Sequence, residues 1–209
     1  MTIETMAVGF LGTNCYLVYS GDKAVVIDPG ADAEKILERV EALSLKIEYI
    51  FLTHAHFDHV LAVSEIIKKT GATLVSTAGE RLRLTDAEVS GHTMLRNREF
   101  IPLCADREVS DGEKITVGDM IFEFMLTPGH TEGSVCILCG DVMFSGDTLF
   151  AGTCGRCDLS GGDIGQMMKS LKKLFLLPGD FRVLSGHGEE TTLSHERVTN
   201  MYMIEAARQ

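Results

Sequence analysis

Residues 53–59 read THAHFDH, directly after the apolar run Tyr49-Ile50-Phe51-Leu52. Three of the chain's seven histidines and one aspartate fall in this stretch. A solvated loop or a helix surface needs none of them, whereas metal coordination needs them all. His54 and His56 lie two apart, so in extended or loop backbone their side chains can point to the same side. Asp58 and His59 follow at the turn into a helix. One short segment can therefore offer four ligands to two adjacent metal ions. Imidazole suits zinc, iron and related borderline ions, and carboxylate suits the harder end of that range.

The remaining ligands should stand at other strand ends, and three places fit. His130 lies in TPGHTEGS (127–134), Asp147 in MFSGDTLF (143–150) and His187 in VLSGHG (183–188), each after a strand-like run. Small residues flank each one and let the backbone approach a crowded centre. His92 and His195 have no such neighbourhood and are read as ordinary packing or surface residues.

The surrounding pattern is layered. NCYLVYS (14–20) and AVVIDPG (24–30) form a hairpin across a Gly-Asp-Lys turn. DAEKILERVEA (32–42) carries apolar residues at helical spacing, and KIEYIFLT (46–53) is a strand pointing at the histidines. Residues 58–69 read as one helix stopped by Gly71, and TLVSTA (73–78) as a strand. Residues 79–114 are irregular, with arginines interleaved among acids, and read as a solvated excursion or as a lid over a substrate. β pattern returns over 115–147. Gly-rich AGTCGRCDLSGGD (151–163) follows, then a helix over 163–175, a strand in FRVLSGHG (181–188) and a closing helix over 189–208. Two β-rich halves with helices outside them predict an α/β sandwich of face-to-face sheets covered by helices.

The bulk properties agree with one domain over residues 1–209 and with an enzyme of small molecules. The hydrophobic fraction is 45%, enough for a sizeable core, and the formal net charge is −11. That acidic balance argues against nucleic acid as a partner. No apolar run reaches membrane-spanning length and no signal peptide is read, so neither a membrane association nor export is expected. Six cysteines in 209 residues are too sparse for a disulfide scaffold. A reducing cytoplasm is the expected location, and the oligomeric state is not legible.

THAHFDH, PGH, GDTLF and GHG together resemble the metallo-beta-lactamase superfamily, and within it the short glyoxalase II-like thioesterases, or hydroxyacylglutathione hydrolases. The resemblance runs from GTNCYLV (12–18) to SGHG (185–188). It implies the four-layer αββα sandwich with the site at one edge between the sheets. It implies one metal on His54, His56 and His130, a second on Asp58, His59 and His187, and a bridging carboxylate at Asp147. Asp28, in Ile27-Asp28-Pro29-Gly30, matches a family aspartate that hydrogen-bonds behind the metal histidines.

Two divalent ions, zinc by expectation with iron or manganese as alternatives, would then activate a bridging hydroxide to attack a small thioester, with Asp58 and Asp147 orienting the centre. A glutathione-type acyl thioester is the expected substrate. The helical glutathione-binding domain of classical glyoxalase II is not matched. The family's Gly-Arg-Thr-Asp loop reads Gly155-Arg156-Cys157-Asp158, with Arg156 a candidate for an anionic substrate end or for pinning its own loop. Asp147 argues against a lactamase, and Phe150 stands where related lactonases carry tyrosine.

The alternatives are a persulfide dioxygenase-like protein with one iron, a lactone or other ester hydrolase, a nuclease and a non-catalytic metal-binding protein. Two CxxC pairs, Cys136/Cys139 and Cys154/Cys157, have the spacing of a structural zinc site. The first pair lies in a strand, where residues three apart face opposite sides. An all-cysteine site is therefore not expected, although the second pair could form a disulfide or tune the pocket.

Overall fold

The computed structural model describes residues 1–96 and 98–209. Strands β1 (Thr2–Val8), β2 (Thr13–Ser20), β3 (Lys23–Ile27), β4 (Lys46–Phe51), β5 (Thr73–Thr77) and β6 (Arg107–Val109) form one sheet in that order. Strands β7 (Lys114–Val117), β8 (Met120–Leu126), β9 (Val135–Cys139) and β10 (Val142–Gly146) begin the other, which β13 (Arg182–Ser185) and β14 (Thr191–Thr192) complete in the order β14-β13-β10-β9-β8-β7. A short hairpin, β11 (Leu149–Phe150) with β12 (Thr153–Cys154), hangs from the second sheet. Helices α1 (Ala33–Ala42), α2 (Phe57–Val60), α3 (Val63–Thr70), α4 (Arg81–Thr85), α5 (Ile164–Leu176), α6 (Leu193–Thr199) and α7 (Met201–Arg208) occupy the connections.

Three apolar layers follow from the two-residue period of the strands. In β3, Val25 and Ile27 face the second sheet while Ala24 and Val26 face α1 and α3. The inter-sheet layer centres on Phe51, whose ring meets Phe122 and Phe124 edge-on at 5.1 Å. The outer layer of the second sheet packs Met143 and Val183 against Met167, Leu171 and Met203 of α5 and α7. The result is the expected αββα sandwich, in which central strands buried on both faces read as continuous apolar runs.

A bulge in β4 breaks the two-residue period. The register against β3 passes from Ala24↔Ile47 to Val25↔Tyr49, which puts Ile47 and Ile50 on the same face. The helix expected over 58–69 is two pieces. Ala62 N–H donates to Pro29 O at 3.0 Å rather than to Asp58, because the Asp28-Pro29-Gly30 turn packs against Asp58. A Cβ on Gly30 would lie 1.7 Å from the Asp58 carbonyl oxygen. The closing helix is likewise broken, at Asn200. Among the described residues no helix is long and apolar enough to cross a membrane.

Strand direction places the site. β3 runs parallel to β4, and β10 parallel to β13. β8 is antiparallel to β9, which is antiparallel to β10, so β8, β10 and β13 also run the same way. Asp28, the 53–59 segment, His130, Asp147 and His187 all follow the carboxyl ends of these strands, and the stacking of the sheets brings those ends together. Asn14 and Tyr16 of β2 tie the sheets at this edge. The Asn14 side chain donates to the carbonyls of Ser185 and Gly188, both at 3.0 Å, and the Tyr16 hydroxyl donates to Ser185 O.

Candidate metal centre

The structure brings all seven predicted ligand side chains to one edge. His54, His56 and His130 form one cluster and Asp58, His59 and His187 another, with ligand atoms within 4.8 Å of one another in each. His56 Nδ1 lies 2.9 Å from His130 Nε2, and His187 Nε2 lies 3.1 Å from Asp58 Oδ2. Asp147 stands between the clusters, with Oδ1 3.6 Å from His59 Nε2 and Oδ2 3.5 Å from His130 Nε2. Gly186 leaves room for it, since a Cβ there would fall 2.2 Å from Asp147 Oδ1.

The hydrogen bonds behind the rings decide which nitrogen is bare. Asp28 is 1% exposed and accepts from the Thr53 hydroxyl at 2.6 Å and from Thr53 N–H at 2.8 Å. Having given its proton to Asp28, the Thr53 oxygen must accept from His54 Nδ1, 3.2 Å away. His59 Nδ1 donates to Asp28 Oδ2 at 3.0 Å, and His130 Nδ1 donates to the Arg156 carbonyl at 2.7 Å. Each bond leaves Nε2 facing into the centre. His54 Nε2, His59 Nε2 and Asp147 Oδ1 are buried and have no hydrogen-bond partner among the described residues. Buried polar atoms are ordinarily paired. Imidazole nitrogens and a carboxylate oxygen that converge without partners fit a Lewis acid, which would take the His54 lone pair directly and displace the proton that the surrounding carboxylates hold on His59.

The electrostatics divide the centre. Burial, then the charge of neighbouring imidazoles, holds His54 well below the usual histidine value, and burial with His130 brings His56 down to about 2. Burial also lowers His130 against the opposing pull of Asp147. That cluster is a neutral set of lone pairs. Burial works against charging His59 too, but Asp58, Asp28 and Asp147 outweigh it and raise its pKa to about 10. Asp58 is held well below the carboxylate range by His59 and His187, against burial. This second lobe gathers negative charge and attracts a cation.

Asp28 lies behind the histidines, bonded to His59 Nδ1 and to Thr53. The Arg156 guanidinium is exposed and pairs with Asp158 at 2.7 and 2.8 Å, while its backbone carbonyl orients His130. His92 is buried, with Nε2 3.0 Å from the Arg98 carbonyl oxygen, and His195 is exposed. Cys136 faces the helical layer and Cys139 the inter-sheet layer, and all six cysteines are free thiols.

The charged excursion is not wholly solvated. Phe57 N–H donates to Ser90 O at 3.0 Å, and Val89, Ser90, Gly91 and Met94 wall a cleft of about 360 Å³ that opens on His56, Asp58, His130, Asp147 and His187. Arg83 and Glu80, in the same excursion, are fully buried. Sequence reasoning missed both, along with Thr13, whose hydroxyl donates to Asp58 at 3.1 Å. Nothing local in Gly79-Glu80-Arg81-Leu82-Arg83 separates the two buried charges from the exposed Arg81.

An αββα sandwich with a two-lobed histidine and aspartate centre at its edge defines a class of metal-centred proteins. This chain belongs to the metallo-beta-lactamase superfamily, whose family model matches residues 8–187. It is 36% identical to the probable metallo-hydrolase YqgX of Bacillus subtilis, over 97% of this chain and 98% of that one. It is 33% identical to the hydroxyacylglutathione hydrolase GloC of Haemophilus influenzae, over 97% and 98% of the two chains. Among solved structures, the B3 metallo-beta-lactamase BLEG-1 superposes with a TM-score of 0.90 at 34% identity, over 97% of this chain and 99% of that one. TTHA1623, solved in a di-iron-bound form, does so with a TM-score of 0.86 at 35% identity, over 95% and 99%.

Proposed function

We propose that the chain is a metal-dependent hydrolase of small acyl thioesters, with glutathione-type thioesters first among them. The observation that carries this reading is the bare, convergent ligand set with Asp147 between its two lobes. His54, His56 and His130 would hold one divalent ion, Asp58, His59 and His187 a second, and Asp147 would touch both. Such a pair of ions supplies an activated water nucleophile at neutral pH and Lewis acidity toward a carbonyl. The nitrogen-rich donor set with two carboxylates accepts zinc, iron or manganese, and availability would select among them.

The chain's own residues supply the rest. Asp28 holds His59 directly and His54 through Thr53, so the histidines need not reorient on binding. Thr13 fixes one oxygen of Asp58. The cleft walls Phe57, Met94 and Leu159 exclude water from one side of a bound acyl group. Arg156 stands at the mouth, where exchange of Asp158 for a substrate carboxylate costs little because both are solvated. The similarity to a hydroxyacylglutathione hydrolase supports the thioester assignment. The free thiols suit a reducing compartment such as the cytoplasm.

The test is elemental analysis of protein purified without added metal, beside an assay panel. The panel holds glutathione and coenzyme A thioesters, a lactone, a β-lactam and a persulfide with oxygen consumption monitored. Release of free thiol from a thioester, abolished by chelation and restored by zinc, iron or manganese, is the expected result. One iron per chain with persulfide-dependent oxygen uptake and no thioester cleavage would sink the proposal.

A further inference from the structure

Glu80 and Arg83 lie outside the ligand set, yet the side chain of each is only 1% exposed. An ion pair taken out of water must be repaid by good geometry and by further hydrogen bonds. Here the further bonds all go to segments around the three-histidine cluster. Glu80 Oε2 accepts from Ala55 N–H at 2.8 Å, the amide between His54 and His56. Glu80 Oε1 accepts from the Thr131 hydroxyl at 2.6 Å and from Gly133 N–H at 3.0 Å, in the turn that begins at His130.

Arg83 Nη1 lies 3.2 Å from each Glu80 oxygen, and its Nη2 donates to Ser160 O at 2.7 Å. Ser160 belongs to the loop whose Arg156 carbonyl orients His130. The backbone makes room for the carboxylate, since a Cβ on Gly133 would stand 2.7 Å from Glu80 Oε1. Asp58, His59 and His187 make no hydrogen bond to this pair and are held instead by Thr13, Asp28 and the Asn14–Ser185 tie.

We propose that Glu80, neutralised by Arg83, is the positioning residue of the His54–His56–His130 cluster. One carboxylate oxygen anchors the loop bearing two of the histidines and the other anchors the loop bearing the third, so their separation is set by the span of a single carboxylate. The proposal rests on the reading that these histidines hold a metal ion. It goes further by making the affinities of the two lobes separable: losing Glu80 should weaken one lobe and spare the other. A merely structural role would loosen both.

Glu80→Gln aims an amide NH2 at one of the N–H or O–H donors and leaves Arg83 unpaired, so this variant can fail to fold on that ground alone. The double variant E80Q/R83M removes both charges at similar volume and serves as the second test. Metal-free wild-type and variant proteins are titrated with cobalt(II) and followed by visible absorption and by the paramagnetically shifted ring N–H resonances of His54, His59 and His130.

In the double variant the site reported by His54 and His130 should weaken by about tenfold or more, the scale of losing support behind metal ligands, while the site reported by His59 stays within about twofold. Unchanged affinity at both sites, or equal losses at both, would overturn the proposal. Wild-type protein that binds two cobalt ions but cleaves no thioester would refute the substrate assignment and leave this result standing. Wild-type protein that binds none would refute both.

Discussion

Asp147 is the residue on which the centre turns, because its carboxylate reaches both clusters, with Oδ1 beside His59 and Oδ2 beside His130 and His187. Asp147→Asn replaces a carboxylate by a neutral amide at a point where two cations would need a shared anion. Thioester hydrolysis should fall by about a hundredfold or more, with at least one metal lost and the fold retained, since the side chain supports no core packing. Near-normal turnover with two metals in this variant would refute the bridging role. Arg156 poses a sharper kinetic question. Its guanidinium is tied to Asp158 in solvent, while its carbonyl, which substitution leaves in place, orients His130. Arg156→Ala should raise KM for a charged thioester and barely change kcat, because a remote contact made equally in ground and transition states is lost. A neutral thioester should be unaffected. Equal losses on both substrates, with metal content falling, would show that the side chain only orders its loop.

At the scale of elements, helix ends reveal most. Asn200 breaks what reads in sequence as one closing helix, and its side chain is fully buried. Its Oδ1 accepts from Tyr202 and Met203 N–H at 3.1 and 3.3 Å, capping α7, while its Nδ2 donates to Glu196 at 2.8 Å and to Thr153 O at 3.0 Å. Asn200→Ala removes the cap and leaves buried acceptors short of a donor. The expected cost is about 2–3 kcal/mol in denaturant unfolding, with metal content unchanged. A cost below ~0.5 kcal/mol would show that the cap and the Glu196 bond carry no stability. The helix expected over 58–69 was legible as apolar period and as the Gly71 stop, which caps α3 with a φ of +71°. Its break at Leu61-Ala62 was not legible, because the competing acceptor, Pro29 O, comes from a distant turn.

For the whole molecule, metal binding and folding are one equilibrium. The ligands come from both sheets and meet only in the folded chain, so ions that bind there stabilise it by mass action. A thousandfold excess over Kd is worth about 4 kcal/mol per site. A chain of this size shifts its melting midpoint by roughly 2–4 °C per kcal/mol. Scanning calorimetry with and without a chelator should therefore show a midpoint lower by about 10 °C or more after metal removal, restored on adding metal back. Equal midpoints would mean that the ligands bind no ion in the folded state. The net charge of −11 works in the same direction, since cations beside Asp58 and Asp147 would offset part of it.

The sequence by itself determined the layered sandwich, the ligand residue types and their strand-end positions. Alternating and continuous apolar runs state which faces are buried, and histidines or aspartates followed by small residues mark where strands stop. These are local properties, carried by neighbours along the chain. The family resemblance added the division into two lobes, and the structure places the same side chains together. Tertiary structure alone decided which ring nitrogen each histidine presents, because that follows from the bonds Asp28, Thr53 and the Arg156 carbonyl make across the fold. It also turned part of a charged excursion into a cleft wall and buried Glu80 and Arg83 while Arg81 stayed in solvent. The reason is physical: desolvation depends on what packs from elsewhere, and the Glu80 carboxylate meets its partners only when two loops, one 25 and the other 51 to 53 residues away, close around it.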